Sequence, residues 1–387
     1  MSRLEQLIAD LCPDGVEYLP LAQVLDYSQP TPYIVKSTYY SDSYSIPVLT
    51  AGASFILGYT GEKDGIYKAS KDKPVIIFDD FTTSFHWVDF DFKVKSSALK
   101  ILTEVEPRKT LLRFVFYSMQ CITYQTSQHA RQWIQTYSNI KIPIPPLPIQ
   151  EEIVRILDTF TALEAELENE LEARTKQYEY YRDALLNFDS KNSHEYVLGP
   201  TVPGNVEQKT IESLCYIQRG RVMSKDYLRD NAGTYPVYSS QTENEGVFGF
   251  IDTYDFDFES LTWTTDGANA GSVFYHKNKR FSITNVCGLL RVRSDELNIK
   301  YLYYYLKMVM KNYVNYGMGN PKLMSNMVGK IKVPLPPIAV QEQIVAILDR
   351  FEALVSDLKE GLPAEIALRR KQYEYYRDQL LTFQPLE

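Results

Sequence analysis

The sequence predicts an α/β (mixed α+β) protein, with two globular domains joined by two long helices that pack as an antiparallel coiled coil. The first observation is a repeated peptide: residues 177–188 read QYEYYRDALLNF and residues 372–383 read QYEYYRDQLLTF, identical at ten of twelve positions. The second is a longer match upstream, IPIPPLPIQEEIVRILDTF at 142–160 against VPLPPIAVQEQIVAILDRF at 333–351. A period near 190 residues is the size of a domain with an appendage, so we interpret the chain as a tandem duplication with an internal pseudo-two-fold repeat.

The duplication divides the chain into four segments. Two variable segments, residues 1–148 and 189–339, each precede a well-matched spacer helix, residues 149–188 and 340–387. In the variable segments, short β-rich stretches alternate with turn residues. We expect strands at DKPVIIF, SALKIL, GVFGFI, GSVFYH and CGLLRVR, and a late helix in each segment at RKTLLRFVFYSMQ and KYLYYYLKMVMKNYV. The order of the strands does not follow from the sequence.

Both spacer helices carry apolar residues at alternating steps of four and three, which is a heptad seam. The seam residues that we predict to pack between the helices are Ile153, Phe160, Leu163, Leu167, Tyr178, Tyr181, Leu185, Ile344, Phe351, Leu354, Leu358, Tyr373, Tyr376 and Leu380. The alternative is that each helix packs on its own globular domain as part of that core.

The second spacer helix carries four more residues between its matched ends than the first, which makes a stutter in the seam. Gly361 and Pro363 fall in this insertion, so we expect a kink or a short break there. Proline runs before both helices stiffen the entry into each one. About 40 residues of helix at about 1.5 Å per residue would make each a rod of roughly 60 Å.

Charge is unevenly distributed along the chain, whose net charge is −8. Residues 149–188 hold 4 basic and 10 acidic groups and residues 340–387 hold 6 and 9, whereas residues 1–148 hold 14 and 15 and residues 189–339 hold 17 and 15. The acidic excess therefore lies on the helices and leaves the variable segments able to meet phosphate groups. An acidic helix face is typical of a solvated or partner-binding surface.

The sequence contains no pattern typical of a catalytic or metal site. Its four cysteines are far apart and the four histidines do not cluster near them, which disfavours a zinc site and a disulfide framework. We find neither a methyltransferase motif of the N-P-P-Y type nor a phosphate-binding G-x-x-x-x-G-K-[ST] motif. The N-terminal residues form no apolar run long enough for a signal peptide or membrane span, so we expect a cytoplasmic protein.

The doubled set of proline-led QE-x-IV-x-ILD-x-F and KQYEYYRD-x-LL-x-F motifs closely resembles the specificity (S) subunit of type I restriction-modification systems, the HsdS family. The resemblance covers the whole chain. It implies that the variable segments are target recognition domains, each reading one half of a split double-stranded DNA sequence, and that the helices set the spacing and dock methyltransferase subunits. The sequence departs from the pattern in the four residues missing from the first helix and in Ala339 where the first copy has Pro148.

The resemblance also implies that the chemistry belongs to partners. Two methyltransferase (M) subunits would use S-adenosylmethionine, and restriction (R) subunits would use ATP and Mg, so we expect no cofactor in this chain. The candidate DNA-binding residues are Lys36, Lys63, Lys68, Lys71, His86, Arg131 and Gln132 in the first domain, and Arg219, Arg221, Lys225, Asn269, Lys277, Lys279, Arg280 and Lys322 in the second. Arginine suits guanine edges, asparagine suits adenine, and lysine more often contacts phosphate.

Two other functions explain part of the sequence. A tandem adaptor that assembles through its helices and binds proteins through its globular domains would share the rods, but it predicts no salt-dependent binding to duplex DNA. A self-contained DNA methyltransferase would need a cofactor motif that the chain lacks. The glycine-containing stretches WTTDGANAGSVFY and MGNPKLMSNMVGKIKVP in the second domain predict tight turns where backbone can approach a ligand closely.

Overall fold

A computed structural model describes residues 2–50, 54–106, 109–124, 131–188, 206–317, 319–357 and 361–386. The chain forms two compact bodies. Body 1 comprises Met1–Glu166 and Ile366–Glu387, and body 2 comprises Leu167–Glu365. Each body therefore contains one variable segment together with parts of both spacer helices.

Body 1 is built on a four-stranded antiparallel sheet and a three-stranded sheet. Its strands are β1 Glu17–Pro20, β2 Leu25–Ser28, β3 Ile46–Leu49, β4 Ile56–Thr60, β5 Val75–Asp79, β6 Phe85–Val88, β7 Lys93–Val94, β8 Leu99–Glu104 and β9 Lys141–Ile144. Its helices are α1 Arg3–Leu11, α2 Leu21–Val24, α3 Leu112–Gln120 and the first part of α4 Leu147–Leu186, with short 3-10 helices at Thr31–Tyr33 and Tyr137–Asn139. The strand orders are β2-β8-β5-β6 and β4-β3-β7, and β1 pairs with β9.

Body 2 repeats this arrangement. Its strands are β10 Glu207–Thr210, β11 Cys215–Arg219, β12 Tyr235–Tyr238, β13 Val247–Ile251, β14 Ser260–Thr264, β15 Val273–His276, β16 Ser282–Ile283, β17 Cys287–Val292 and β18 Lys332–Leu335. Its helices are α5 Ile211–Leu214, α6 Lys225–Asp230, α7 Ile299–Val309, α8 Ser325–Gly329 and α9 Ile338–Ser356, followed by α10 Leu362–Leu380, most of which belongs to body 1; short 3-10 helices lie at Glu243–Gly246 and Met310–Tyr313.

The sheet orders of body 2, β11-β17-β14-β15 and β13-β12-β16 with a separate β10-β18 pair, match those of body 1 strand for strand. The predicted duplication is thus confirmed at the level of topology. All five residues of β5 and all five of β14 are buried, as expected for central strands covered on both faces. The predicted strands and both late helices, α3 and α7, are present at the expected stretches.

A buried glutamine fixes the start of each spacer helix. Gln150 is fully buried; its Oε1 accepts the Leu111 N–H at 2.9 Å and its Nε2 donates to the Lys109 and Pro145 carbonyls at 3.0 and 2.7 Å. A buried amide with every partner supplied is stable, whereas an unpaired one is costly.

Gln341 makes the same three bonds in body 2. It accepts the Asn298 N–H at 2.9 Å and donates to the Glu296 and Pro336 carbonyls at 2.7 and 2.8 Å. The first residue of the repeated QE motif therefore joins the helix to the loop before α3 or α7. We refer to these two sites as the glutamine clamps.

The aspartate of the repeated ILD motif makes a second attachment. Asp158 accepts hydrogen bonds from the Arg113 guanidinium at 2.8 Å and from the Tyr117 hydroxyl at 2.5 Å. Burial and the hydrogen bond to Asp158 raise the pKa of Tyr117 to about 12. In body 2, Asp349 accepts from Lys300 at 2.6 Å and from Tyr304 at 2.5 Å. Each spacer helix is thereby anchored to the last helix of the variable segment that precedes it.

The seam pairs the start of one spacer helix with the end of the other. In body 1, Phe160 meets Tyr376 and Glu164 meets Arg370, so the two helices run in opposite directions there. In body 2, Phe351 meets Tyr181. The predicted antiparallel packing is confirmed within each body. The alternative packing occurs as well, because the buried starts of α4 and α9 also belong to the cores of their own variable segments.

Most predicted seam residues are at least partly buried. Ile153, Leu185 and Ile344 are fully buried, Tyr178 and Tyr373 are buried, and the exposed Tyr376 keeps its ring on Phe160. The remaining partly buried members are Phe160, Leu163, Leu167, Tyr181, Phe351 and Leu380.

The structure differs from the predicted seam at its second half. Leu354 is 39% exposed, because α9 ends at Ser356, only two residues later. Leu358 lies outside the described residues. The next helix begins at Leu362, so the predicted interruption near Gly361 and Pro363 is confirmed.

Candidate nucleic-acid interface

Two loops of body 2 are tied together by backbone hydrogen bonds at the end of the central hairpin. The β14–β15 turn, residues 265–272, meets residues 315–317 and 319–323, and we call these segments loop pair 2. The Leu323 N–H donates to the Thr265 carbonyl and the Gly267 N–H to the Pro321 carbonyl, both at 3.0 Å. The indole of Trp263 donates to the Leu323 carbonyl at 3.1 Å from the buried strand below. A rigid strand therefore supports both loops.

Glycines give loop pair 2 an open outer face. Gly267 and Gly319 have φ of +90° and +107°, a region that side chains rarely adopt, and no atom lies within 4 Å of where a Cβ would be. Both positions need glycine for the backbone conformation, and the space above each remains available for a ligand. Asn269 lies on the same turn, and its Nδ2 donates to the Thr242 hydroxyl at 2.9 Å.

Body 1 has the equivalent pair of loops. The β5–β6 turn, residues 80–84, meets residues 131–133, and we call them loop pair 1. The Gln132 N–H donates to the Asp80 carbonyl at 2.8 Å and the Trp133 N–H to the Asp80 Oδ1 at 2.9 Å. Thr83 in this turn has φ of 61°, so the turn is tight.

A buried ion pair lies beneath loop pair 1. The Lys100 ammonium is 3.2 Å from the Asp80 Oδ2, and the two side chains are 0% and 1% exposed. Lys100 also donates to the Gln29 Oε1 at 3.2 Å and lies 5.7 Å from the centre of the Tyr27 ring. Because a buried charge without its partner is costly, this pair fixes the turn against strand β8. Sequence patterns did not identify it, since Asp80 lies in the β5–β6 turn and Lys100 on strand β8, 20 residues later.

The candidates of the second variable segment are all exposed, but most have partners. Arg219 donates to the Asn285 carbonyl, Arg221 to Asp255 and Tyr227, and Arg280 lies over the Tyr254 ring. Lys277 and Lys279 are 3.9 and 3.6 Å from Glu259 and Glu245. Within the described residues, Lys225 and Lys322 make no ion pair, and Lys322 belongs to loop pair 2. These two ammonium groups are therefore the more available ones.

The candidates of the first variable segment are divided in the same way. Lys36, Lys63, Lys71 and Arg131 are exposed, and Arg131 borders loop pair 1. Lys68 forms a 2.5 Å ion pair with Asp91. His86 stacks on Phe55 with ring centroids 3.9 Å apart, and burial lowers its pKa.

Gln132 lies where the sequence placed it but faces inward. It is 7% exposed, and its Oε1 accepts the Tyr124 hydroxyl at 2.8 Å. The hydrogen bond from Tyr124 holds the Gln132 side chain below the surface, where it supports loop pair 1. Tyr316 is 68% exposed on loop pair 2, and its only mark in the sequence is its place in a glycine-containing turn.

A second buried lysine, Lys93 on strand β7, binds residues 62–65 of the first variable segment. Its ammonium donates to the Asp64 and Gly65 carbonyls at 2.7 and 2.9 Å and lies 3.1 Å from the Glu62 carboxylate. Although burial opposes it, hydrogen bonds from the Ser37 and Lys36 backbone and the Lys93 ammonium hold the pKa of Glu62 below its ordinary value. The Lys93 ammonium is therefore buried and fully engaged by these partners.

No cluster of three or more metal-ligating side chains occurs among the residues that the structure describes. In the same part of the chain, no helix is both long and apolar enough to cross a bilayer. The described surface thus offers paired loops with scattered basic residues, and the sheet and helix positions are alike in both bodies.

Comparison with known proteins decides the family. The model of the type I restriction modification DNA specificity domain matches the chain twice, over residues 13–173 and 203–368. The chain belongs to this family. A type I restriction enzyme specificity subunit of Escherichia coli, EcoR124I/EcoR124II, is 41% identical over 413 aligned residues, covering 99% of this chain and 97% of that protein.

One further relative and one solved structure are similar to this chain. The specificity subunit of the type I restriction enzyme MpnII of Mycoplasma pneumoniae is 41% identical over 210 residues, which cover 54% of this chain and 62% of that protein. The crystal structure of a type I S subunit from M. genitalium matches with a TM-score of 0.62 at 15% identity over 95% of this chain and 96% of that one, which shows a shared fold. The chain is thus a DNA specificity subunit, a non-catalytic part of a type I restriction-modification assembly with modification and restriction subunits.

Proposed function

We propose that each variable segment of this specificity subunit reads one half of a bipartite DNA target through its own loop pair. The observation that carries the proposal is the presence of equivalent loop pairs, loop pair 1 and loop pair 2, on two segments whose sequences have otherwise diverged. Two different sequences on one framework suit two different half-sites.

The side chains of loop pair 2 suit a division between base and phosphate contacts. Asn269 is held by Thr242, so its amide is oriented before binding, and asparagine pairs well with adenine in the major groove. Lys322 and Lys225 would contact phosphates, which position a protein on the duplex without reading sequence. In loop pair 1, Arg131 takes the exposed basic position.

The spacer helices would set the distance between the half-sites, as dimer geometry sets half-site spacing in other DNA-binding proteins. The assignment of residues 1–148 and 189–339 as recognition domains, and of 149–188 and 340–387 as spacer helices, belongs to this proposal. Two modification subunits would supply S-adenosylmethionine-dependent methylation, and the restriction subunits would use ATP and Mg. The complex would act in the cytoplasm.

An exchange of one variable segment tests the proposal. Residues 15–141 are replaced by the matching segment of the E. coli relative, in cells that supply the modification subunits, and methylated adenines are mapped by sequencing. We expect one half of the methylated sequence to change while the other half remains. A change in both halves would contradict one half-site per segment.

Duplex binding gives an independent test against the adaptor hypothesis. The affinity of the assembled complex for its methylated site should fall steeply as salt rises, because basic residues release counterions from the phosphates. Replacing both Lys225 and Lys322 with alanine should weaken binding to all sequences and reduce the salt slope by up to about 2. Binding that ignores salt would favour the adaptor.

A further inference from the structure

A cleft of about 840 Å³ opens in body 2 where the ends of strands β15 and β17 face the starts of helices α7 and α9. Tyr275, Lys300 and Asp349 lie in its wall, and we call it cleft 2. Strand β14 begins directly after Glu259, which lines the cleft, and ends at Thr264, directly before loop pair 2. Cleft 2 therefore lies at the opposite end of the central hairpin from loop pair 2. Its volume is that of a site for a small ligand.

Body 1 has a cleft at the equivalent place, with a volume of about 650 Å³, and we call it cleft 1. Trp87 takes the position of Tyr275, since each is the next-to-last residue of the second hairpin strand. The wall of cleft 1 also holds the ion pair of Arg113 with Asp158, and the Arg113 guanidinium is 4.6 Å from the centre of the Trp87 ring. In cleft 2 the Lys300 ammonium is 5.6 Å from the centre of the Tyr275 ring. Both clefts are thus built on the same framework.

The charges that line the two clefts differ. Cleft 1 is lined by two basic and three acidic side chains, whereas cleft 2 is lined by four basic and three acidic ones. Lys277 of cleft 2 stands where cleft 1 has Asp89, each directly after the second hairpin strand. The basic residues of cleft 2 are Lys277, Arg291, Arg293 and Lys300. Because the framework is shared and the charge is not, the lining of cleft 2 indicates an anionic ligand that binds to one body only.

Arg291 has the most available guanidinium in cleft 2. It is exposed, it lies 4.5 Å from the centre of the Phe258 ring, and among the residues that the structure describes no carboxylate pairs with it. A guanidinium stacked on a ring keeps its N–H edge for an anion. Arg293, two residues further along, donates to the Ser213 and Glu212 carbonyls at 3.2 and 2.7 Å. Its positive charge is therefore held in place before any ligand binds.

Lys277 adds an ammonium group that is only weakly held. Its side chain is 60% exposed and its nitrogen is 3.9 Å from the Glu259 carboxylate, which also accepts the Tyr275 hydroxyl. An exposed ion pair of this kind contributes little, so an anionic ligand can replace the carboxylate as the partner of the ammonium.

The acidic groups of cleft 2 leave room for such a ligand. The Asp349 carboxylate accepts hydrogen bonds from Lys300 and Tyr304, and Glu259 accepts one from Tyr275. Both carboxylates are thus engaged within the protein, and Asp295 is the remaining one in the lining. Phosphoryl groups suit the basic set, because arginine binds them through two parallel hydrogen bonds and lysine binds them as a point charge.

We propose that cleft 2 binds a small ligand that carries two or more phosphoryl groups, such as a nucleoside diphosphate. Arg291 and Lys277 contact the phosphoryl oxygens, and Arg293 supplies a fixed positive charge beside them. The proposal goes beyond the proposed function, because cleft 2 lies away from loop pair 2 and its ligand takes no part in reading the half-sites.

Calorimetric titration of the full chain tests the proposal, with inorganic pyrophosphate, ADP and adenosine as probes. Pyrophosphate and ADP should each bind once per chain, and adenosine should not bind. Arg291→Ala should weaken the binding of both phosphorylated probes by about tenfold or more, since it removes charge-assisted hydrogen bonds. Arg291→Lys keeps the charge but loses the paired donors, so it should recover only part of the affinity. Thermal unfolding of each variant checks that body 2 remains folded.

Lys71→Ala is the matched control, because it removes an exposed lysine from the equivalent cleft 1. It should leave the affinity for pyrophosphate and ADP unchanged. Equal weakening by Lys71→Ala and Arg291→Ala, or two binding events per chain, would overturn the assignment to cleft 2. Lack of saturable binding of either phosphorylated probe at millimolar concentration would overturn it as well.

Two measurements with DNA separate this proposal from the proposed function. A short duplex without the methylated site is a further probe: if Arg291→Ala weakens its binding while pyrophosphate and ADP do not bind, cleft 2 holds DNA phosphates and the small-ligand proposal fails. Mapping of methylated adenines should give the same bipartite sequence for Arg291→Ala as for the unaltered chain, and a changed half-site would also overturn the proposal. If pyrophosphate binds as expected but segment exchange alters both half-sites, cleft 2 stands and the proposed division of DNA reading fails.

Discussion

Phe160 stacks on Tyr376 with ring centroids 5.5 Å apart and an interplanar angle of 27°, joining the start of the first spacer helix to the end of the second. Phe351 and Tyr181 make the reciprocal contact at 5.4 Å and 25°. The same phenylalanine–tyrosine contact is therefore made twice, and each time the two rings come from different copies of the repeat. Each phenylalanine needs the tyrosine of the other copy, which explains why the second half of the repeat has not diverged.

A double-mutant cycle should detect this exchange of partners. Phe160→Ala and Tyr376→Ala should couple by about 0.5 to 1.5 kcal/mol beyond their separate costs, since stacked aromatic rings contribute that much in addition to buried area. Urea unfolding measures the free energies. The control cycle combines Phe160→Ala with Tyr181→Ala, which contact different rings, and its coupling should be near zero. Equal coupling in both cycles would show that the exchange of partners is not energetically specific.

The glutamine clamps should matter more than their position on a helix suggests. Gln150→Leu keeps similar volume but leaves the Leu111 N–H and two carbonyls without their partner, so we expect a loss of about 2 to 4 kcal/mol. Gln341→Leu should cost a similar amount in body 2. Chemical unfolding measures both. Gln343→Leu, at an exposed position two residues further along α9, is the control and should change stability by less than about 0.5 kcal/mol.

The sequence predicted the long helices, their seam and the duplication because these depend on the periodicity of apolar residues and on repeated sequence segments. It did not predict the clamps, since a glutamine in a helix looks like a solvent-exposed residue until the loop that it binds is placed beside it. Leu354 shows the reverse error: the heptad pattern continues through it, but α9 ends two residues later and leaves it exposed. The loop pairs combine segments about 50 residues apart, so their geometry depends on tertiary contacts that no local pattern contains.

The buried ion pair under loop pair 1 should control the first half-site without touching DNA. Lys100→Met leaves the Asp80 carboxylate buried without its cation, a change that typically costs about 3 to 5 kcal/mol. We expect faster amide hydrogen exchange at residues 80–84 and 131–136 and relaxed sequence preference in one half of the methylated site only. Adding Asp80→Asn removes the second charge and should restore most of the stability.

Lys93→Met is the matched control for that experiment, since it removes another buried lysine of the same segment that pairs with Glu62 and lies away from loop pair 1. It should destabilise body 1 without relaxing the same half of the site more than the other. A relaxed preference in both halves after Lys100→Met would argue against a local positioning role.

Stability of body 2 should decline in mild acid because of His276. Burial, with a smaller contribution from Lys279, lowers the pKa of this histidine from its ordinary value near 6.5 to about 3, and its Nε2 is paired with the Thr262 hydroxyl at 2.8 Å. The folded state therefore keeps the ring neutral while the unfolded state binds a proton below about pH 6.5. The stability that the neutral ring allows is present above pH 6.5 and is lost as the pH falls toward 3.

Between pH 7.5 and 5.5 this one group should reduce the free energy of unfolding by about 1.4 kcal/mol. Urea unfolding at both pH values measures the change. His276→Leu removes the titrating ring and should lower stability at pH 7.5 but make it less dependent on pH over this interval. A pH dependence that remains unchanged in the variant would assign the effect to other groups.

The length of the continuous helix α4 should set the gap between the two half-sites. The second spacer helix already carries four extra residues, near its break between Ser356 and Leu362, so we insert four residues of helix-forming sequence after Leu171. This adds about 6 Å and turns the helix by about 40° beyond one full turn, which shifts the seam without destroying it. Six ångströms is close to two base pairs at about 3.4 Å each, and bending can absorb part of it. We expect the nonspecific gap to grow by one or two base pairs while both half-sites keep their sequences, as measured by mapping methylated adenines.

A two-residue insertion at the same place turns the later half of the seam by about 200°, away from Phe351, and should abolish methylation. The same four residues inserted at position 195, after the helix, should leave the gap unchanged. An active complex with a lengthened α4 and an unaltered gap would show that this helix does not set the spacing.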